Sequence, residues 1–202
     1  IFRIVDEEKA EVHWQSRWFN NFALNEVIDL ASEFSVAHLL SHDTFRKRLS
    51  PGKRLSLHEL LYPTLQAMDS LQIHSDVELG GMDQKFNILC GRDLMRAKGL
   101  EPQVALLTPL LPGTDGRKMS KSFGNHIPVE STAKEKIGPL MSIADEMMRV
   151  FMALGAGVSS AETKKLLSLL STGAIHPKDL KMSIAKRISL QYHPLNEVED
   201  AA

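Results

Sequence analysis

Apolar residues recur along the chain at spacings that separate helices from strands. Ser35 to Leu49 is predicted as one helix, with Val36, Leu39, Leu40 and Leu49 apolar and Ser50-Pro51-Gly52 ending it. Ser56 to about Gln72 is a second helix, with Leu57, Leu60, Leu61, Leu65 and Met68 on one stripe. Pro63 predicts a kink in it, or a late start near Tyr62. Asp76-Val77-Glu78-Leu79 predicts a short strand ending at Gly80-Gly81. Asp83–Lys98 then forms a helix closed by Gly99, and Gln103–Thr108 an apolar strand. Strand, helix, strand with short links is the pattern of a right-handed parallel crossover. The opening segment, through Trp14 and Trp18, fits neither period clearly.

The pattern changes after Pro109. Leu110 to Asn125 is a loop rich in Gly, Ser and Lys, and beyond Ile127 only helical spacing remains, roughly over 142–154, 160–170 and 176–191. Alternating α/β followed by all-α predicts two domains, 1–127 and 128–202, with the boundary near Pro128. A hydrophobic fraction of 43% fits a folded protein, and no run approaches the ~18 apolar residues of a membrane span. The single cysteine, Cys90, excludes an intramolecular disulfide and a cysteine-rich metal site; its apolar surroundings predict a buried thiol in a cytoplasmic protein. A net charge of −1 excludes a uniformly basic nucleic-acid binder. The chain starts without Met or the apolar run of a signal peptide, which suggests a coding sequence that begins further upstream.

Three groups of residues carry candidate chemistry. Tyr62, Gln66 and Asp69, spaced by four and three, share one helix face, predicted largely opposite the leucine stripe. Together they offer a hydroxyl, an amide and a carboxylate. Such a face is usually the wet side of a helix, but this one has no Lys or Arg. Gly80-Gly81-Met82-Asp83-Gln84 follows a strand, where open α/β sheets bind ligands. There glycines admit a close ligand, Asp83 can accept from ribose hydroxyls, and Gln84 can hold a polar substrate group. The plainer reading makes Asp83 an N-cap. Lys118-Met119-Ser120-Lys121-Ser122 lies between Gly116 and Gly124. Two lysines on such a loop can close over a polyphosphate and neutralise charge on a departing pyrophosphate; the plain alternative is an exposed basic loop.

Taken together, these strings resemble class I aminoacyl-tRNA synthetases. Lys118–Ser122 matches that class's second signature, while Leu61-Tyr62-Pro63, Gln66, Asp69, Asp76–Gly81 and Asp83–Asn87 look like bacterial tyrosyl-tRNA synthetases. The tryptophanyl enzymes are the nearest alternative; Gln66 and Gly80-Gly81 favour tyrosine. The resemblance implies an α/β fold: the second half of a Rossmann-like parallel-sheet catalytic domain, then an α-helical tRNA-binding domain.

The same resemblance implies the reaction and the roles. Tyrosine would attack the α-phosphate of ATP, and the tyrosyl group would then pass to tRNA(Tyr). Asp69 would accept from the substrate phenol, Tyr62 and Gln66 would hold the α-amino group, and Gln84 would lie near the reacting carboxylate. The ATP side would comprise Gly80, Gly81, Asp83, Lys118, Met119, Ser120, Lys121 and Ser122, with Lys118 and Lys121 as the catalytic pair. Mg²⁺ would come with ATP and need no dedicated protein metal site. Helices before Ser56 would form a homodimer interface, and Lys178, Lys181, Lys186 or Arg187 would face the anticodon stem.

Two departures are Met68, where the family often has Tyr, and Met82, where it often has a small hydroxyl residue. No His-Ile-Gly-His-like signature occurs, so this piece alone is expected to be inactive, with an ATP-binding half and a terminal RNA-binding module lying outside it. A non-catalytic tRNA-binding relative is the rival reading, and the intact lysine loop counts against it.

Overall fold

The computed structural model describes residues 2–202 and resolves the chain into two compact units. One is Glu11–Pro109; the other joins the residues up to Ala10 to Leu110–Ala202. The lysine loop therefore groups by contact with the helices that follow it, whereas the sequence pattern places the division near Pro128.

In the first unit, α1 (Ser16–Phe19) and α2 (Leu24–Ser32) occupy the stretch whose period was ambiguous. The Glu26 carboxylate starts α2 by accepting from the Ala23 N–H at 2.7 Å. The single helix expected over 35–49 is two, α3 (Val36–Leu40) and α4 (Asp43–Leu49). The polar stretch between them competes with the helical ladder. Ser41 Oγ donates to His38 O at 2.6 Å, and His42 Nδ1 accepts from Thr44 N at 3.1 Å.

The long helix α5 (Leu57–Ile73) starts at a Ser56/Glu59 capping box and passes through Pro63 without ending. Its most buried residues lie beside the leucine stripe: Pro63, Thr64, Ala67 and Ser70 are buried, Leu60, Leu65 and Met68 pack half-buried against the core, and Leu57 is 74% exposed. Small side chains let α6 approach closely, so Ala67 packs with Cys90 and Leu94 in the core. Burial pushes the Cys90 thiol up to about 12, as suits an inert core sulfur.

β1 (Val77–Gly81), α6 (Lys85–Ala97) and β2 (Val104–Thr108) form the expected parallel crossover, with Val77 opposite Val104 and Gly81 opposite Thr108. A short 3₁₀ turn, Met82–Gln84, links β1 to α6, so the α-helix begins two residues later than predicted. Gly99, at φ +74°, follows the end of α6. Alternation along the strands sends Glu78, Gly80, Ala105 and Leu107 to one face. The other face carries two apolar cross-strand pairs, Val77–Val104 and Leu79–Leu106, each residue more than half exposed. Two strands also leave an unpaired edge on either side among the described residues. Such a surface is prone to association. Replacing Leu79 and Leu106 by Lys should therefore raise the solubility of the isolated 202-residue chain, measured as monomer recovered by gel filtration.

The second unit is helical: α7 (Ala133–Met141), α8 (Met148–Val150) continuing into a wide π turn at Phe151–Gly155, α9 (Ser160–Ser171), α10 (Pro177–Ser189) and α11 (Leu195–Ala201). The helix expected over 142–154 is short and irregular, whereas α7 and α11 were not expected. Ile137, Leu140, Ile143, Met148, Phe151, Leu180, Ile184 and Val198 form the core. Lys136 is buried there as well, donating to the carbonyls of Val129 (2.8 Å) and Ser131. Desolvation lowers its pKa. No helix among the described residues is long and apolar enough to cross a membrane.

Candidate active site

Within the first unit, Tyr62, Leu65, Gln66 and Asp69 of α5 line a cleft of about 500 Å³ with Gln15 and with Gln84, which precedes α6. The four-and-three spacing thus brings together the residues it predicted, and Gln84 joins them from the turn after β1. Tyr62 is 61% exposed at the rim.

Asp69 is the most constrained group in the cleft. Gln15 Nε2 donates to both its oxygens, at 3.1 Å to Oδ1 and 2.8 Å to Oδ2, and Trp18 Nε1 donates to Oδ1 at 2.9 Å. Oδ1 takes two donors and Oδ2 one, so a lone pair of Oδ2 remains for an incoming hydroxyl. Burial raises the Asp69 pKa; the Trp18 and Gln15 hydrogen bonds oppose that rise, and the charge of Glu78 adds to it. Gln15 and Trp18 were not singled out as site residues. They lie 54 and 51 residues before Asp69, and no local spacing announces the contact.

The helix and strand are tied beneath the cleft. Ser70 Oγ and Gln103 Nε2 each donate to Glu78 Oε2 at 2.7 Å. Gly91 makes room for this junction, since a Cβ there would stand 2.6 Å from Ser70 Oγ. Gly80 has a similar role: a Cβ would meet Ile88 Cδ1 at 2.8 Å and Gln84 Cβ at 3.2 Å. Its bare backbone admits α6 on that face. Asp83 is exposed and lines a neighbouring cleft of about 390 Å³ with Ser41, His42, Thr44, Phe86 and others. It is not the helix cap of the plain reading, because Gln84 precedes α6.

The lysine loop, in the second unit, is more ordered than its composition suggested. Gly113 N donates to Arg117 O at 2.8 Å, and Pro112 and Lys118 form an antiparallel bridge. Gly116 and Gly124 hold φ of +82° and +63°, where a side chain would be strained. Asn125, 3% exposed, is the hub: its Nδ2 donates to Asp115 Oδ1 (2.7 Å) and Lys118 O (3.2 Å), and its Oδ1 accepts from Ser120 N (2.9 Å). Ser120 Oγ in turn accepts from Ser122 N at 3.2 Å. Arg117 pairs with Asp115 and lies 4.5 Å from the Phe123 ring centroid. Lys118, Lys121 and Ser122 are exposed, while Met119 and Ser120 are half-buried.

The Asn125 amide, and then Arg117, hold the Asp115 pKa at about 2 against an ordinary 3.8. A lowered folded-state pKa gives stability that is complete above pH 3.8 and lost as pH falls toward 2. The stability advantage of the natural chain over Asp115→Asn, measured by denaturant unfolding, should vanish across that window and be flat above it.

The family model for class I tRNA synthetases of the W and Y type matches residues 1–202, and the chain belongs to that family. Its curated relatives narrow the class. The chain is 44% identical over its whole length to the tyrosine–tRNA ligase of Dehalococcoides mccartyi strain 195, covering 51% of that protein. It is 43% identical over 96% of its length to that of Moorella thermoacetica, covering 47%, and 42% identical over its whole length to that of Francisella tularensis, covering 51%. The chain spans about half the length of the curated relatives it matches. Among solved structures, tyrosyl-tRNA synthetase from Archaeoglobus fulgidus, complexed with L-tyrosine, superposes with a TM-score of 0.70 at 22% identity, over 99% of this chain and 69% of that one. A truncated mitochondrial tyrosyl-tRNA synthetase from Coccidioides posadasii gives 0.66 at 21%, over 95% and 59%. The fold is that of an α/β class I synthetase, represented here by one parallel crossover and a helical unit.

Proposed function

We propose that the complete gene product carrying this chain activates tyrosine with ATP and transfers the tyrosyl group to tRNA(Tyr). The observation that carries this reading is Asp69, a half-buried carboxylate held by Gln15 and Trp18 with one acceptor position left over. A phenol hydroxyl fits that position, and an amino acid lacking it would leave that acceptor position of a half-buried carboxylate unfilled. Tyr62 and Gln66 hold the α-amino group, and Gln84 donates to the α-carboxylate. For the nucleotide, Gly80, Gly81 and Asp83 are the candidate contacts in the first unit, and the loop Lys118-Met119-Ser120-Lys121-Ser122 supplies those of the second. Attack of the carboxylate oxygen on the α-phosphate breaks the bond to pyrophosphate, and the Lys118 and Lys121 ammonium groups neutralise the departing charge. Mg²⁺ enters with ATP, held by its phosphates.

The 202-residue chain by itself is not expected to turn over, since it lacks the class's other ATP signature. Exposed Leu24, Ile28 and Val36 on α2 and α3 support a homodimer interface before Ser56. Residues 128–202 serve as the tRNA-binding part of a cytoplasmic enzyme. There Lys181 and Arg187 are engaged with Asp145 and Glu162, at 2.7 and 3.2 Å. Amino-acid-dependent exchange of pyrophosphate into ATP by the complete gene product tests the reading. Exchange with tyrosine alone among tyrosine, phenylalanine and tryptophan is expected. Exchange with tryptophan and not tyrosine would overturn the substrate, and exchange with none would favour a non-catalytic tRNA-binding protein.

A further inference from the structure

Asn87, in the first turn of α6, is 6% exposed and takes no place on the cleft wall. Its one amide nitrogen donates to two carbonyl oxygens: Gln66 Oε1 at 2.9 Å and Gln84 Oε1 at 3.3 Å. These glutamines come from different elements and line the same cleft. An amide side chain offers an acceptor on one edge and donors on the other, and free in solution it can present either. A buried donor shared between two glutamines removes that freedom, because swapping either amide would set N–H against N–H.

We propose that Asn87 is a positioning residue that fixes the polarity of both substrate amides. It keeps the Gln84 Nε2 group available as the donor to an amino-acid carboxylate, and it leaves one lone pair of Gln66 Oε1 to accept from an ammonium. This rests on the reading of the cleft as a tyrosine site. Asn87→Asp keeps the shape but replaces the donor with an acceptor. Both glutamines would then turn their Nε2 groups toward residue 87, and Gln84 would present a carbonyl to the substrate carboxylate. A merely structural role for Asn87 would not distinguish the two ends of the ligand.

The test is binding of tyrosine and of tyramine, which lacks the carboxylate, to the complete gene product, by displacement of labelled tyrosine. Asn87→Asp should weaken tyrosine about tenfold to a hundredfold, the worth of a hydrogen bond to a charged group, and weaken tyramine clearly less, because its ammonium loses the Gln66 carbonyl but gains the charge of the new carboxylate and it has no carboxylate to meet the turned Gln84. Asn87→Ser, which keeps one hydroxyl donor, should fall between them, and it carries the comparison if Asn87→Asp does not fold. Equal weakening of both ligands in either variant overturns the role of Asn87 while leaving the tyrosine site standing. If the unmodified protein binds neither ligand, the site and this inference fall together.

Discussion

Asp69→Ala lowers kcat/KM for tyrosine activation by about a hundredfold or more in the expected outcome, measured by pyrophosphate exchange in the complete gene product. Two losses add. The substrate phenol loses a charge-assisted hydrogen bond, and Gln15 and Trp18 lose the acceptor that holds them. Asp69→Asn separates these losses. It keeps the shape and one acceptor oxygen but sets an NH₂ group against one of the donors, so an intermediate defect is expected. Gln15→Ala removes a residue of the cleft wall whose side chain donates to Asp69. It leaves the carboxylate in place with Trp18 and loosens Oδ2, so KM for tyrosine should rise more than kcat falls. If Asp69→Ala left tyrosine activation within about twofold, the assignment of the phenol to this carboxylate would be wrong.

The second large effect belongs to the lysine loop. Lys118→Ala and Lys121→Ala should each reduce kcat by about a hundredfold to a thousandfold, the usual cost of removing a transition-state charge donor. Tyrosine affinity should stay unchanged in both, because charge builds on pyrophosphate only as the bond breaks. Rapid-quench measurement of adenylate formation alongside equilibrium tyrosine binding separates the two quantities. A variant that lost tyrosine affinity and kept its rate would place the lysine in binding and not in catalysis. The loop's scaffold can be probed independently. Asn125 joins Asp115, Lys118 and Ser120, so its replacement should disturb both lysines while their charges remain.

Much of the candidate site was legible because its signals are local. Tyr62, Gln66 and Asp69 lie within two turns of one helix, and the Ser56/Glu59 box marks that helix's start. The strand–glycine–helix sequence at 76–98 gave the crossover, and the lysine string marked itself. Contacts between distant segments were not legible. Gln15 and Trp18 reach Asp69 across more than fifty residues, from a stretch with no clear period. Asn87 looks like one more polar residue in a first turn until both glutamine carbonyls are seen to converge on it.

The helix errors have physical causes too. A single helix over 35–49 ignored Ser41 and His42, whose side chains bond the backbone and split it. The leucine stripe of α5 marked residues that pack half-buried on the core, but it did not mark the closest approach to α6, which falls to Ala67 and Ser70. α7 was missed because Gly138-Pro139 discourages a helix. Its start was nonetheless written in Thr132 and Glu135, which cap each other.

Trp18 offers a reporter placed on the carboxylate itself. Its indole N–H, 2.9 Å from Asp69 Oδ1, should give an NMR signal that shifts saturably as tyrosine is added to the complete gene product. Phenylalanine at the same concentrations should leave it nearly unmoved, because no hydroxyl reaches Asp69. An indole signal that ignores tyrosine, or answers equally to phenylalanine, would contradict recognition of the phenol at this site.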